Sequence, residues 1–352
     1  MTETLTMMAV VKEKPQKGFS YLKKTITTDL APDEVLVRVM SASFCGTDYH
    51  LYQYDEWARK RISLPLIVGH ELSGEIVKTG ENVKNVKVGD WVSAETHIVC
   101  NECEYCLQGN KHICEKTKII GVDTDGCFAN YVKLPAANCF VNSKSVDPML
   151  LSVQEPLGNA VHTMTHFPIA GKTVAIVGCG PIGLMAIDVA KALKAKKVIA
   201  IETKEYRRRL AGNLGADVII DPATEDVIAG VLSATGGRGV DVVGEFSGNK
   251  NAIECAFKYL KPGGAISMLG IPNRPIEIDF ATDIVFKGIS LYGVTGRRIY
   301  QTWNQVKELL DNNLLHLDKI ITHKFPLSKI NEAAEVMGSG ECGKIVLLPE
   351  EV

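Results

Sequence analysis

Val174-Ala-Ile-Val-Gly-Cys-Gly-Pro-Ile-Gly-Leu184 sets an apolar run directly before a glycine-rich turn, and an apolar helical pattern follows over 182–193. That order (strand, turn, helix) is what gives Gly178-Cys179-Gly180-Pro181-Ile182-Gly183 its meaning as a G-x-G-x-x-G dinucleotide loop. Gly178 allows the tight turn, Gly180 lets backbone approach a pyrophosphate, and Gly183 lets helix and strand pack closely. The helix N-terminus adds unpaired N–H groups and partial positive charge for the phosphates. Pro181 suits the first helical turn, where its missing N–H costs nothing. Glu202 ends the next apolar run, about twenty residues further on. A carboxylate there accepts hydrogen bonds from both ribose hydroxyls and repels a 2′-phosphate, which favours NAD over NADP. Arg207 is expected to pack over the adenosine, with Arg208 and Arg209 solvated.

Outward from this loop the same texture repeats. Runs at 198–201, 217–220, 240–243, 265–269 and 289–292 read as strands, and 206–214 as a helix. With 174–177 these make six strands alternating with helices, an α/β pattern that implies a parallel sheet covered on both faces. Six such strands make a complete doubly wound dinucleotide-binding domain. The first half differs. Residues 34–39 alternate with the two-residue period of a half-buried strand, 74–77 and 88–92 read as further strands, and no long helical pattern precedes roughly Leu150. The C-terminal stretch carries helical patterns near 303–310 and 330–337 and a last strand at 344–348, predicted to return to the first domain. At 352 residues the chain exceeds one ordinary core, so two domains are expected: 1–153 with 296–352, and 154–295.

The bulk composition narrows the class. The chain is 46% hydrophobic and 23% charged with a formal net charge of -2, so no large basic surface is expected and nucleic acid is not a partner. Residues 1–11 do not read as a secretory signal, and the apolar stretch 174–195 is broken by glycines, Pro181 and Asp188, so it is not a membrane span. Ten cysteines without an export signal point to a reducing compartment, the cytoplasm, where clustered cysteines are metal ligands rather than disulfides.

Two ligand patterns follow. Cys100, Cys103, Cys106 and Cys114 form a closed four-sulfur set in a polar loop, the pattern of a structural zinc site. An iron–sulfur cluster also takes four cysteines, but no proline follows the last one and no second cluster motif exists. Upstream, Cys45 in Cys45-Gly46-Thr47-Asp48 and His70 in Gly69-His70-Glu71 stand apart. Glu155, at the expected domain junction, offers another carboxylate. In a regular strand Glu71 points away from His70, so it sits on a bend or acts behind the ligands. One Cys, one His and one or two Glu leave a position open for a substrate hydroxyl, as a catalytic zinc site requires. Thr47 and His50 then offer a hydroxyl and an imidazole as a proton path to solvent. Cys127, Cys139, Cys179, Cys255 and Cys342 lack ligand spacing and read as small core or surface residues.

Taken together, these pieces resemble the zinc-containing medium-chain alcohol dehydrogenase superfamily over essentially the whole chain. The resemblance runs through Gly69-His70-Glu71, Val88-Gly89-Asp90-Trp91-Val92, the four-cysteine loop and the nucleotide loop. More specific segments are Cys45-Gly-Thr-Asp-Tyr-His50, Tyr54-Asp-Glu-Trp57, Glu95-Thr-His97, the Gly158-Asn-Ala-Val-His162 run and Gly293-Val-Thr-Gly-Arg297. They are similar to the branch that oxidises a hydroxy amino acid. The resemblance implies a GroES-like, mainly-β catalytic domain beside the Rossmann domain. It implies two zincs per subunit: one on Cys45, His70 and Glu71, with Glu155 close enough to compete or complete, and one on the four cysteines. It places His97 beside the substrate and NAD against Ile182, Glu202, Arg207, Leu269, Gly270, Ile271, Val294 and Thr295. The implied reaction is oxidation of the 3-hydroxyl of L-threonine by NAD+ to L-2-amino-3-oxobutanoate, in a homotetramer functionally coupled to a glycine-forming acyltransferase. A polyol or 2,3-butanediol dehydrogenase would use the same machinery. For a zwitterionic substrate, Arg297 is a candidate carboxylate partner or else a cofactor or subunit contact. Asp55 and Glu56 lie near the ammonium or in a solvated loop.

Overall fold

The computed structural model describes residues 3–351. It divides into two compact units. One runs to Glu155 and takes in Ile321–Ser339 and the residues from Lys344 onward; the other comprises Pro156–Ile320 and Gly340–Gly343. The chain therefore returns to the first unit at Ile321, later than the expected 296. The reason lies in residues 301–320. Their helix buries Trp303, Val306 and Leu309, and His316 donates its backbone N–H to the buried Asp188 carboxylate at 2.6 Å within the second unit.

The first unit is mainly β. In chain order it begins with β1 (Thr4–Lys12), β2 (Ser20–Thr27) and β3 (Glu34–Phe44), then two short helices, α1 (Gly46–Gln53) and α2 (Glu56–Arg61). There follow β4 (Leu66–Ile67), β5 (Glu71–Thr79), β6 (Trp91–Ala94), β7 (His97–Ile98), α3 (Glu104–Leu107), β8 (Lys118–Ile119), β9 (Tyr131–Pro135), β10 (Cys139–Asn142) and α4 (Pro148–Leu151). The main sheet has the order β10-β6-β5-β3 and continues through two C-terminal strands, with β9 also pairing with β3. Residues 88–90 are not strand. Lys87–Asp90 forms a turn, closed by Asp90 N–H to the Lys87 carbonyl at 3.1 Å, and the strand starts at Trp91.

The helix α5 (Gln154–Thr165) carries the chain into the second unit. Here strands and helices alternate: β11 (Thr173–Val177), α6 (Pro181–Ala192), β12 (Lys197–Ile201), α7 (Glu205–Asn213), β13 (Val218–Ile220) and α8 (Val227–Ala234). Then come β14 (Val240–Glu245), α9 (Lys250–Tyr259), β15 (Leu260–Met268), β16 (Ser290–Gly293) and α10 (Gln301–Asp311). All pairings are parallel and the order is β13-β12-β11-β14-β15-β16. The order reverses between β11 and β14, the point at which such sheets bind ligands. Val177, Ile199, Ile201, Val243 and Ile266 from the strands pack with Val231, Ile253 and Phe257 from the helices, so continuous apolar runs form strands buried on both faces. The chain ends in the first unit with β17 (Ile321–Pro326), α11 (Ile330–Ser339) and β18 (Lys344–Leu348), β18 lying antiparallel beside residues 42–44 of β3. Among the described residues no helix is long and apolar enough to cross a membrane.

Candidate active site

The mixed donor set is built where β3 stops and β5 starts. Cys45 is the N-cap of α1, directly after β3, and its backbone N–H donates to Asp48 Oδ2 at 3.0 Å. Glu71 opens the neighbouring strand β5, where it pairs with Ser43 of β3, and His70 immediately precedes it. The bend that lets adjacent residues face one point comes from Gly69, at φ +93°, where a Cβ would lie 2.2 Å from the Phe128 ring. One ligand atom each from Cys45, His70 and Glu71 falls within 4.8 Å of the others. Glu71 thus sits on a bend and faces the donor set. Glu155 is outside this trio, yet its charge acts on both His70 and Lys344.

Three atoms here are buried without a hydrogen-bond partner: Asp48 Oδ1, His70 Nδ1 and Glu71 Oε1. Asp48 Oδ1 and His70 Nδ1 face each other, so the orphan that calls for an explanation is Glu71 Oε1, and a divalent cation among a thiol, an imidazole and this carboxylate supplies one. His70 Nδ1 lies 3.6 Å from Asp48 Oδ1. Burial works against a charged His70, but the Asp48 carboxylate and Cys45 outweigh it and lift the ring to about 10. Burial pushes Asp48 up to about 6, against the pull of His70. A cation replaces the proton that these groups would otherwise hold, because metal ligands bind deprotonated.

The other oxygen of Glu71 is fully engaged. Ser43 Oγ donates to Oε2, and Lys344 Nζ lies 2.5 Å from it with both side chains buried. Lys344 opens β18, so the last strand brings a counter-charge beneath the site. Buried serines then hold the entrance to α5. Ser41 and Ser73 both donate to the Pro148 carbonyl at 2.8 Å, Ser93 donates to Leu151 at 2.8 Å and Ser43 lies 3.2 Å from the Ser152 carbonyl. These bonds fix the chain just ahead of Glu155, which is itself buried.

Thr47 and His50 occupy successive turns of α1 three residues apart, hence on one face. His50 Nδ1 lies 2.5 Å from Asp55 Oδ2, while Asp55 Oδ1 caps α2 by accepting from Ala58 N–H at 3.0 Å. The Trp57 ring stands 6.0 Å from the imidazole. Asp55 is therefore the partner of His50. His97 on β7 is held by the buried Glu95, whose Oε1 lies 2.8 Å from Nδ1 and 3.0 Å from the His97 backbone N. Arg297 is buried against α5, donating to Asn159 Oδ1 at 3.0 Å.

Cys100, Cys103, Cys106 and Cys114 converge in the loop around α3, and none is in a disulfide. Sulfur separations of 3.5 Å (Cys100–Cys114) and 4.0 Å (Cys100–Cys106) bracket the ~3.8 Å edge of a tetrahedron with Zn–S bonds of ~2.3 Å. Backbone N–H groups, from Cys106 first, hold Cys103 below its ordinary value, while burial pushes Cys106 up to about 12. A cation is what lets all four be thiolates together.

The nucleotide loop in the second unit has the expected division of labour. A Cβ on Gly183 would lie 2.0 Å from the Gly178 carbonyl oxygen, and one on Gly178 would lie 2.8 Å from Ser247 Cβ. Gly180 opens onto free space, with only Arg207 Nη1 at 3.9 Å, and it N-caps α6 without a side-chain bond. This is a cradle with room for a pyrophosphate against exposed helix N–H groups. Glu202 directly follows β12 beside it, accepting from Cys179 N–H at 2.7 Å and Lys204 N–H at 2.8 Å. Arg207 Nε donates to the Cys342 carbonyl at 3.2 Å. Arg208 is not solvated as expected: it donates to the Thr203 carbonyl at 2.5 Å and pairs with Asp221 at 3.0 Å. Leu269, Gly270 and Ile271 follow β15, and Val294 and Thr295 follow β16, at the same edge of the sheet.

Sequence reasoning missed Asp48, Lys344, Glu95 and the four serines as parts of the site. Lys344 left one signal, a lone cation opening an apolar strand that is buried through Leu347.

The chain matches the alcohol dehydrogenase GroES-like domain over residues 31–144 and the zinc-binding dehydrogenase family over residues 181–312. It is 51% identical over 344 residues to an L-threonine 3-dehydrogenase of Caldanaerobacter subterraneus subsp. tengcongensis, covering 97% of this chain and 99% of that one. Among solved structures it resembles 2R,3R-butanediol dehydrogenase from Bacillus subtilis, with a TM-score of 0.88 and 28% identity over 98% of this chain and 100% of that one. It also resembles an alcohol dehydrogenase of Escherichia coli CFT073 complexed with NADH, with a TM-score of 0.88 and 26% identity over 97% and 99% of the two chains. With a zinc-type donor set in one unit, a dinucleotide cradle in the other and this likeness from end to end, the chain belongs to the zinc-containing medium-chain alcohol dehydrogenases, in the branch of the L-threonine 3-dehydrogenases.

Proposed function

We propose that this chain oxidises the 3-hydroxyl of L-threonine with NAD+, giving L-2-amino-3-oxobutanoate, NADH and a proton. The observation that carries the reading is the Cys45–His70–Glu71 donor set, with His70 and Glu71 buried, in a chain that is 51% identical over 344 residues to an L-threonine 3-dehydrogenase. Zinc at that set supplies a Lewis acid that acidifies the substrate hydroxyl. NAD supplies the hydride acceptor.

The chain's own residues do the rest. Cys45, His70 and Glu71 hold the catalytic ion, with Glu155 near enough to compete or complete. Asp48 orients His70 from behind, and such outer partners set ligand basicity. Thr47 takes the hydroxyl proton and passes it to His50. Asp55 engages Nδ1 of that ring, so Nε2 faces the relay. Glu95 fixes His97, which tunes preference at the substrate. Cys100, Cys103, Cys106 and Cys114 hold the structural zinc. Glu202 receives the ribose hydroxyls, selecting NAD, and Ile182, Arg207, Leu269–Ile271 and Val294–Thr295 flank the cofactor.

The reading extends to a cytoplasmic homotetramer. Ten cysteines, none of them in a disulfide, suit a reducing compartment. Phe280, Val285, Phe286 and Leu291 are exposed at or near the edge strand β16, a patch that self-association would cover. The product is a β-keto acid prone to decarboxylation, which favours coupling to an acyltransferase that releases glycine.

The test is NADH formation from L-threonine against sorbitol, xylitol and 2,3-butanediol at equal concentration. Threonine is the preferred substrate. Preference for a diol or polyol would move the chain to that neighbouring activity with the same metal chemistry.

A further inference from the structure

Glu245 has no part in the chemistry above, yet it stands at the centre of the cofactor edge of the parallel sheet. It ends β14, next to the reversal in strand order, and is fully buried. Its Oε1 accepts the Ser247 N–H at 2.8 Å, the Gly248 N–H at 3.1 Å and the Ser247 hydroxyl. Oε2 lies 3.2 Å from Gly248 N. Its backbone carbonyl accepts from Leu269 N–H at 2.9 Å and Gly270 N–H at 3.1 Å. Backbone and side chain together thus tie the turn after β14 to the loop after β15.

The surrounding contacts are close ones that glycines alone permit. A Cβ on Gly270 would lie 2.3 Å from Glu245 Oε2, one on Gly248 would lie 2.5 Å from the Ile271 carbonyl oxygen, and one on Gly178 would lie 2.8 Å from Ser247. The Phe246 N–H donates to the Val177 carbonyl at 2.8 Å, which locks the turn to β11 as well. Three loops therefore meet at close range around glycines, with the Glu245 carboxylate and Ser247 between them, and that carboxylate collects the donors of the middle loop. Its two flanking loops are the segments assigned above to the cofactor.

We propose that Glu245 is a positioning residue of the dinucleotide site: its carboxylate fixes the Ser247–Gly248 turn, and through it the Gly178 loop and Leu269–Ile271, in the shape that receives NAD. This rests on the NAD reading of the cradle. An acceptor-only group is required, because every hydrogen pointed at it comes from the turn. An amide of the same size turns one oxygen into a donor facing another donor, which costs a hydrogen bond and leaves a buried N–H unpaired.

The experiment compares wild type with Glu245→Gln by NADH fluorescence titration without substrate, and by steady-state kinetics, zinc content and melting temperature. The expected result is about a tenfold rise in the NADH Kd and in KM for NAD+, the loss of one charge-assisted hydrogen bond. KM for threonine, kcat at saturating NAD+ and zinc content stay within about twofold, because cofactor excess restores the bound geometry. Ser247→Ala, which deletes the hydroxyl that donates to Glu245 and accepts from Asn249 N–H, moves NADH affinity in the same direction by about threefold. Unchanged NADH affinity in folded Glu245→Gln overturns the proposal. So does a fall in kcat and threonine affinity in step with melting temperature, the signature of general loosening. Should Glu245→Gln not fold, Ser247→Ala decides, and unaltered NADH affinity there is equally fatal. Wild-type protein that fails to bind NADH removes the NAD reading itself, a different outcome.

Discussion

Replacing Lys344 by methionine isolates the charge balance beneath the catalytic site. Lys344 Nζ and Glu71 Oε2 are 2.5 Å apart and both side chains are buried. At that distance an effective dielectric of about 20 gives an attraction of about 6–7 kcal/mol. Burying each ion costs several kcal/mol, so the pair as a whole contributes little net stability. Removing one partner is different, because Glu71 is left as an uncompensated buried carboxylate, at a cost of about 3–5 kcal/mol. A divalent ion on Oε1 supplies alternative compensation, so the loss should be large in chelator-treated protein and much smaller in zinc-loaded protein. The assay is urea unfolding of both forms, with zinc counted per chain. At a slope of about 3 kcal/mol per molar, the metal-free midpoint falls by about 1–1.7 M. The double variant Lys344→Met/Glu71→Gln recovers most of that loss, since a neutral pair has no charge left to strand. An equal loss in both forms, or no recovery in the double variant, would refute the reasoning.

Cys45→Ser abolishes turnover while one zinc per chain remains on the four-cysteine loop; normal turnover with a single ion there would sink the catalytic site. Cys103→Ser removes that second ion instead and unfolds the 100–114 loop, seen as a lower melting temperature and one zinc lost, because the loop has little core of its own. His50→Ala lowers kcat by about 10²-fold with KM for NAD+ unchanged, the ordinary worth of a positioned proton carrier; Asp55→Asn, which keeps the α2 cap, gives a smaller loss in the same direction. Burial lowers the buried Lys12 to about 8. The unfolded chain holds that proton more tightly, so Lys12 costs stability below pH 8, and the cost is relieved as pH rises from about 8 towards 10.5. The stability of wild type relative to Lys12→Met therefore improves over that window, by at most about 3 kcal/mol; a flat difference would contradict it.

The parallel sheet was legible because its central strands, such as β11 and β12, carry long apolar runs and the glycine loop marks the first turn. The four-cysteine loop was legible for a related reason, since its ligands are close in sequence. What stayed hidden depends on pairing between distant segments. Whether Glu71 faces His70 was undecidable from alternation, because the answer lies in a bend at Gly69 enforced by Phe128 from another part of the chain. Lys344 becomes part of the site only through the register of β18 against β3. Ser41, Ser43, Ser73 and Ser93 look like ordinary strand residues until α4 is laid over them. The extra strand residues at 88–90 failed for a local reason: apolar content at Val88 masked a turn.

The first unit is interrupted. Its sheet lacks β17 and β18 until the whole second unit has been synthesised. At ~5–20 residues per second, the ribosome leaves that flank of β3 without its final partner for roughly 15–60 s. The nascent protein thus carries an open sheet edge beside Cys45 and an acidic pocket still missing its lysine. Edge protection and the counter-charge of the metal site arrive together, as β18 leaves the exit tunnel, which makes loss of that strand a lesion of the reaction centre.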